Sequence, residues 1–135
     1  VQYVGWSKAV TSRGLAGVNY QAHDPRRTME DSRKDFEALV GYLRTNAATL
    51  GIDMDNFAVW SCSANSSIGV PIAASDMAGL RSAVIYYGAG EATRFPLDRP
   101  VFVARAGLDN TSLNRAIDAL VARAAAAGPP LPCAV

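Results

Sequence analysis

Three short apolar runs, separated by longer amphipathic stretches, constrain the fold of this 135-residue chain most strongly. Their sequences are FAVW (57–60), LRSAVIYYG (80–88) and RPVFVARAG (99–107). Continuous apolar runs are typical of parallel strands covered on both faces, and their alternation with helical segments is the pattern of βα units. A further run, GLAGVNY (14–20), is expected to form a strand before them. The sequence therefore predicts an α/β domain with about four parallel strands flanked by helices.

Four helices are expected before, between and after these runs. Thr28 and Asp31 are typical of an N-cap with an acidic first turn, and apolar residues then recur at helical spacing until Gly51. Other helices are expected at residues 2–12, 64–75 and 112–127. The second of these contains a proline, which costs about 3 kcal/mol in a helix interior. With no repeat and no linker, we expect one domain over the whole chain.

Charge and composition exclude several classes of function. The 13 Lys and Arg residues are interleaved with 12 Asp and Glu residues, so no basic face for nucleic acid is expected. No apolar stretch approaches the roughly 20 residues of a membrane span. One histidine and two distant cysteines predict neither a zinc site nor a disulfide framework, and no cofactor is implied. Sparse cysteines favour structural thiols in a reducing compartment, so we expect the cytoplasm rather than secretion.

Two polar loops follow predicted strands at the edge where ligands bind α/β proteins, beyond the carboxyl ends of the strands. Ser63 lies at a turn into a helix, where backbone N–H groups point toward a developing anion. Asp109 lies in the loop AGLDN after the last strand. Serine before acid is the chain order of hydrolases whose nucleophile sits on a strand-turn-helix bend. The two residues are therefore candidates for nucleophilic catalysis.

The frame SCSAN (61–65) favours Ser63 over Cys62 as the nucleophile. A tight strand-turn-helix bend leaves room only for small residues two positions before and after its strained serine, which is the pattern G-x-S-x-G. With Ser63 at the centre, these positions hold a serine and Asn65, of which Asn65 is the departure. With Cys62 at the centre, Trp60 would occupy the first small position. We therefore expect Ser63 at the tip of the bend.

The segment LGIDMDNFAVWSCSANSSIGVPIA resembles the part of α/β-hydrolases that leads into the nucleophile, most closely in dienelactone-hydrolase-like and prolyl-oligopeptidase-like esterases. The segment RPVFVARAGLDNTSLNRAIDALVARAAAAG is similar to that family's later strand, acid loop and following helix. Together the similar segments lie within residues 30–128. The resemblance implies hydrolysis of a small carboxylic ester, with Ser63 as nucleophile and Asp109 orienting a histidine. The backbone N–H of Ala64 is expected to be one oxyanion donor.

Two parts of the family pattern do not occur in this sequence. They are the strand and histidine after the acid helix, and an earlier strand with its His-Gly-rich loop, so we expect an internal portion of the fold, incomplete at both ends. The general base would lie outside the chain or would be His23, which follows the first predicted strand.

The alternative is a non-catalytic hydrolase relic or fragment that associates with another copy or a complementary fragment through exposed sheet edges. A flavodoxin-like binding domain is disfavoured because no loop offers a glycine-rich phosphate cradle.

Overall fold

The computed structural model of the protein describes residues 2–20, 28–127 and 133–134. The chain separates into two compact units, Val1–Ile52 and Asp53–Val135. Within the described ranges, no helix combines the length and apolar character that a bilayer crossing requires.

The first unit is mainly helical where it is described. Its helices are α1 (Gln2–Thr11), α2 (Met29–Thr45) and α3 (Ala47–Leu50). The predicted capping box starts α2: Thr28 Oγ1 accepts from the Asp31 N–H at 3.1 Å, and the Asp31 carboxylate accepts from the Thr28 N–H at 3.1 Å. The helix predicted to end at Gly51 forms in two parts, because Asn46 interrupts it before the one-turn α3.

The strand predicted for GLAGVNY (14–20) is wrong, because this segment is irregular. Its polar and small residues pack back on α1 instead of entering a sheet. Asn19 Nδ2 donates to Ser7 Oγ at 2.6 Å. A Cβ at Gly17 would lie 2.9 Å from the Cβ of Ser7, so only a glycine permits this approach. Local contacts with α1 therefore outweigh the β propensity of the run.

The second unit holds a parallel sheet with helices in its connections. Its elements are β1 (Phe57–Cys62), a 3₁₀ turn (Ser63–Asn65), α4 (Ser66–Ala74), β2 (Leu80–Tyr86), β3 (Val101–Ala104), α5 (Thr111–Ala127) and the two-residue β4 (Cys133–Ala134). The strands lie side by side in chain order and pair in parallel.

The fold class is mixed α/β, with three parallel strands of at least four residues flanked by helices. The expected number of about four such strands is wrong, since the first predicted strand does not form and β4 is only a two-residue extension beside β3. The helix predicted at residues 64–75 does form despite Pro71. Burial of Gly69, Val70, Ile72 and Ala73 against the sheet offsets the hydrogen bond that the proline lacks.

The core of the second unit lies on one face of the sheet. Ala83 pairs with Val101, and Ile85 pairs with Val103. Paired residues of neighbouring strands point to the same side of a sheet, so these four side chains share this face. Both connecting helices cover it. The buried cluster comprises Val70, Ala73, Ala83, Ile85, Phe95, Val101, Val103, Ile117, Leu120 and Ala124. The other face carries half-buried aromatic rings, with Tyr86 between Trp60 at 5.7 Å and Phe102 at 6.1 Å.

Candidate functional site

The three main strands end together, which brings three loops to one edge of the sheet. Cys62 pairs with Tyr86, and Tyr86 pairs with Ala104, at the carboxyl ends of β1, β2 and β3. Ser63 is the first residue after β1. Asp109 lies in the loop after β3, shortly before α5. Both predicted residues therefore follow carboxyl ends at the same edge, with β2 between their strands.

Ser63 occupies a sharp bend between β1 and α4. Its backbone has a φ of 54°, in the left-handed region that few residues other than glycine adopt. Cys62 is still extended, with φ of −143° and ψ of 154°, and is 3% exposed. The side chain of Ser63 is exposed to solvent. The tip of the bend is thus Ser63, while the thiol of Cys62 is buried in the strand.

Small residues around the bend are required by close packing between β1 and α4. A Cβ at Gly69 would lie 2.1 Å from Ser61 Oγ, so the helix approaches the strand as closely as two small residues permit. A Cβ at Gly88 would lie 2.2 Å from Ser66 Oγ and 2.5 Å from the carbonyl oxygen of Ser63. The loop after β2 therefore rests directly on the bend. A larger residue at any of these positions would displace the exposed serine.

The residues after Ser63 turn the chain into α4. The N–H of Ser66 donates to the carbonyls of Ser63 and Ala64, and Ser67 Oγ donates to the Ala64 carbonyl at 2.5 Å. The N–H of Ala64 belongs to the first residues of this turn, whose N–H groups have no acceptor within a helix. It lies beside Ser63 at the amino end of α4, where partial positive charge accumulates.

Asn65 needs no unusual backbone in this bend. Its φ of −69° and ψ of −13° are right-handed helical, and its side chain is exposed. The expected departure from the small-residue pattern therefore causes no strain, because the left-handed geometry falls on Ser63 itself.

Asp109 lies in a tight, exposed loop that α5 helps to hold. Its N–H donates to the Ala106 carbonyl at 3.1 Å, and Asn114 Nδ2 donates to the Asp109 carbonyl at 3.3 Å. One carboxylate oxygen of Asp109 accepts from the Asn110 N–H at 2.7 Å. Asn110 in turn caps α5 by accepting from the N–H of Ser112 at 2.8 Å. The carboxylate thus keeps a second oxygen for another donor.

The strands that precede Ser63 and Asp109 are two places apart in the sheet. Two strand spacings separate β1 from β3, about 9.5 Å in a regular sheet. One imidazole between the two side chains, with a hydrogen bond of about 2.8 Å at each end, spans a gap of this order. The histidine of the sequence, His23, lies outside the described residues. The described residues place a serine and an acid at one edge and supply no imidazole between them.

One ion pair among the described residues lies near this edge. Arg105, directly after β3, binds Asp118 of α5 with 2.8 Å between Nε and Oδ1. No group of three or more His, Cys, Asp or Glu side chains capable of holding a metal ion occurs among the residues that the structure describes. The edge offers hydroxyl, carboxylate and backbone N–H groups, which suit acyl transfer.

Tyr87 is a notable residue at this edge that the sequence pattern assigns only to a strand rim. It follows β2 directly and has a φ of 36°, which is a genuine outlier for a bulky residue. Nothing in the run VIYYG signals this, because a tyrosine gives no indication of a left-handed backbone. The buried hydroxyls of Ser61 and Ser66, which have no hydrogen-bond partner in the described structure, are likewise not readable from the sequence.

No protein-family model, no curated protein and no solved structure matches this chain.

Proposed function

We propose that the protein is a serine hydrolase that cleaves a small carboxylic ester at the carboxyl edge of its sheet. Ser63 Oγ attacks the ester carbonyl carbon, and its proton passes to a histidine base. The resulting oxyanion is stabilised by the N–H of Ala64. The alcohol leaves with the proton from the base, and water then releases the acid from Ser63 by the same route.

The observation that carries this proposal is the strained, exposed serine at the end of β1. A residue with a left-handed backbone costs of order 1–2 kcal/mol unless it is glycine, and such strain tends to persist at functional sites. Ser63 combines this φ of 54° with solvent exposure at the amino end of α4. An ordinary N-cap serine would have an extended backbone instead.

The position of Asp109 supports the role of an orienting acid. Its loop follows β3, the strand two places from β1, and two strand spacings are comparable to the span of one hydrogen-bonded imidazole. The order of elements from β1 through α5 matches the succession of strand, bend, helix and later acid loop that nucleophile-elbow hydrolases share. We therefore infer an α/β-hydrolase fold, dienelactone-hydrolase-like or prolyl-oligopeptidase-like, in which the base is a histidine outside residues 1–135 or His23.

Covalent labelling with an alkyl fluorophosphonate tests the nucleophile. The probe is expected to modify Ser63, detected by intact mass and peptide mapping. Ser63→Ala is expected to abolish the adduct, because no other hydroxyl lies at the tip of the bend. Ser67→Ala is the matched control, since this serine belongs to the first turn of α4 and its hydroxyl is directed to the Ala64 carbonyl.

Replacement of the acid gives an independent test of the same site. Asp109→Asn is expected to lower the labelling rate by about 10²-fold or more, the range typical of lost acid–base assistance. Asp98→Asn is the control, because Asp98 is an exposed acid that precedes β3 at the amino end of the strands. This substitution should leave the labelling rate unchanged. The proposal is wrong if neither residues 1–135 nor a longer polypeptide that contains them forms a Ser63-dependent adduct.

A second candidate function rests on the open edge of β1. This six-residue strand stands at one end of the strand order, and no strand among the described residues pairs with its outer edge. Its sequence FAVWSC carries no charge and no proline, the usual protections of an edge strand. The edge is therefore suited to pairing with a second copy or a complementary fragment.

Light scattering of the purified chain tests this second candidate. Association through β1 predicts a dimer that Ala58→Lys dissociates, since residue 58 is exposed on this strand and an edge lysine opposes pairing. The same substitution at the exposed Ala122 of α5 is the control and should leave the mass unchanged. A monomer in the unmodified chain would rule out self-association through this edge.

A further inference from the structure

Two residues with strained backbone directly follow the carboxyl ends of the neighbouring strands β1 and β2. Ser63 with φ of 54° and Tyr87 with φ of 36° are the non-glycine residues with positive φ among those described. Cys62 pairs with Tyr86, so each outlier is the first residue after one member of the last paired position of the two strands. Both outliers therefore occur at one place in the molecule.

The backbone around Tyr87 is in direct contact with the bend. Gly88 lies so close that a Cβ there would come within 2.5 Å of the Ser63 carbonyl oxygen. On its other side, the Tyr87 N–H donates to the Ala104 carbonyl at 2.8 Å, at the end of the strand that leads to Asp109. Tyr87 thus lies between the two strands whose loops supply the serine and the acid.

The ring of Tyr87 contacts the ring of Tyr86, and the residue is partly exposed to solvent. It packs against Tyr86 with 6.3 Å between ring centroids and 69° between ring planes, an edge-to-face contact. The residue is only half-buried, so part of the ring surface remains accessible at the edge. A fixed, partly exposed aromatic side chain next to a loop that contacts the bend can stack on a planar group of a substrate.

We propose that Tyr87 is a substrate-binding residue of the Ser63 site and that its ring favours esters whose acyl or alcohol group is aromatic. This inference rests on the proposed hydrolase function. In a regular strand, Tyr87 would point to the same face as Ile85, which the helices cover. The strained backbone directs the ring to the carboxyl edge instead.

Two fluorophosphonate probes of similar size, one carrying a phenyl group and one an alkyl chain, test the preference. In each reaction Ser63 Oγ bonds to phosphorus, fluoride leaves and the hydroxyl proton passes to the base. The unmodified protein is expected to react about fivefold faster with the phenyl probe, the scale of one aromatic contact. Tyr87→Asn, which removes the ring and tolerates positive φ, should bring the ratio near one.

Tyr87→Phe is the matched variant that keeps the ring, and it should keep the preference. Tyr42→Ala, which removes an exposed tyrosine from α2, is the control and should keep it as well. Labelling of Ser63 by the alkyl probe in Tyr87→Asn, with an unfolding transition like that of the unmodified protein, shows that the bend still forms. A ratio that Tyr87→Asn leaves unchanged, with labelling of Ser63 intact, overturns this inference and not the proposed function. Absence of Ser63 labelling both in residues 1–135 and in a longer polypeptide that contains them overturns both.

Discussion

The two ends of the parallel sheet in the second unit accommodate left-handed backbone in opposite ways. At the amino end, the residue with positive φ is Gly79, at 77°, which has no Cβ to strain. At the carboxyl end, the residues with positive φ are Ser63 and Tyr87. Each non-glycine residue in this region costs of order 1–2 kcal/mol. Strain is thus avoided at one end and retained at the other.

The two ends also differ in whether their buried polar groups have hydrogen-bond partners. At the amino end, the buried guanidinium of Arg99 donates to the carbonyls of Leu80 and Ala73, each at 3.0 Å, and to that of Ser75. At the carboxyl end, Ser61 Oγ and Ser66 Oγ are buried without a hydrogen-bond partner. Buried polar atoms are usually satisfied, so each exception calls for an explanation.

The amino end of the sheet thus follows the local rules of stability, with a glycine at positive φ and a buried guanidinium whose hydrogen bonds are made. Natural sequences tend to break the local rules of stability at functional sites and to follow them elsewhere. The carboxyl end breaks these rules at Ser63, Tyr87 and the two buried hydroxyls, which is where the proposed hydrolase site lies. Substitutions at the two ends should therefore have different consequences for stability.

The largest expected effect is that of Gly79→Ala at the amino end. The new Cβ would lie 2.1 Å from the Met54 carbonyl oxygen and would also carry a φ of 77°. Overpacking and left-handed strain together should lower the free energy of unfolding by about 3 kcal/mol or more. Urea unfolding at equilibrium measures this change.

Substitutions of two other glycines separate the contribution of overpacking from that of left-handed backbone strain. Gly51 has a φ of 64° with nothing within 4 Å of an added Cβ, so Gly51→Ala isolates the backbone cost of about 1–2 kcal/mol. Gly41 lies in α2 with neither constraint, so Gly41→Ala should stabilise by about 1 kcal/mol. Equal losses at Gly79 and Gly51 would show that close packing at the amino end contributes little.

The next largest effect is expected for Arg99→Met. The substitution leaves three carbonyls without their donor, two of them at the end of α4, where helical carbonyls lack partners. Unsatisfied buried acceptors cost about 1–3 kcal/mol each, and we expect a total loss of about 3 kcal/mol after local relaxation. Thermal and urea unfolding should agree on this loss.

Arg81→Met is the matched control at the same end of the sheet. Arg81 Nε also donates to a backbone carbonyl, that of Asp55 at 2.9 Å, but the residue is exposed. Water replaces the lost donor there, so the expected loss is below about 1 kcal/mol. A comparable loss for the two arginines would contradict the idea that the buried guanidinium secures the amino end.

A smaller effect of opposite sign is expected at the carboxyl end, at Ser63. Ser63→Gly relieves the left-handed strain, so it should be more stable than Ser63→Ala by about 1 kcal/mol. At Ser67, inside the helix, the same pair should differ by about 1 kcal/mol in favour of alanine. If alanine is the better residue at both positions, Ser63 stores no strain and the contrast between the ends fails.

The sequence predicts much of the second unit because its signals are local. The three apolar runs became β1, β2 and β3, and the final helix ends at Ala127 as its pattern indicates. The frame of small residues placed the sharp bend at Ser63, since a bulky neighbour would not fit against Gly69. The strand predicted at residues 14–20 failed because contacts with α1 decided its conformation, and no pattern within the run reveals them.

Backbone conformation can be predicted from the sequence only where a residue type is typical of one conformation, and this limits what the sequence reveals of the candidate site. A glycine such as Gly51 signals a left-handed helix end, and the structure has a φ of 64° there. Tyr87 carries no such signal, since its backbone is imposed by the loop packed on the bend. The carboxylate of Asp109 was located by its loop after β3, but the imidazole that would join it to Ser63 falls outside the described residues.

The smallest expected effect concerns Asp53, at the loop that leads into β1. Its carboxylate accepts from the Asp55 N–H at 2.8 Å and from Asn56 Nδ2 at 2.6 Å. Hydrogen bonds from Asn56 and Asp55 hold the pKa of Asp53 below its ordinary value, against a small opposing effect of desolvation. A carboxyl whose folded pKa is lowered stabilises the fold above its unfolded pKa, and this contribution is lost as the pH falls through the folded pKa.

Asp53→Asn should therefore be slightly less stable than the unmodified protein at neutral pH, and the difference should vanish in strong acid. Urea unfolding between about pH 7 and pH 2 measures the two curves. Because the carboxylate is fully exposed, the effect should also shrink when salt is raised, since screening weakens exposed charges. Parallel curves over the whole range would show that this loop adds nothing to the amino end. In that case the contrast between the ends would rest on Gly79 and Arg99, whose contributions come from packing and buried carbonyls and should not change with pH over this range.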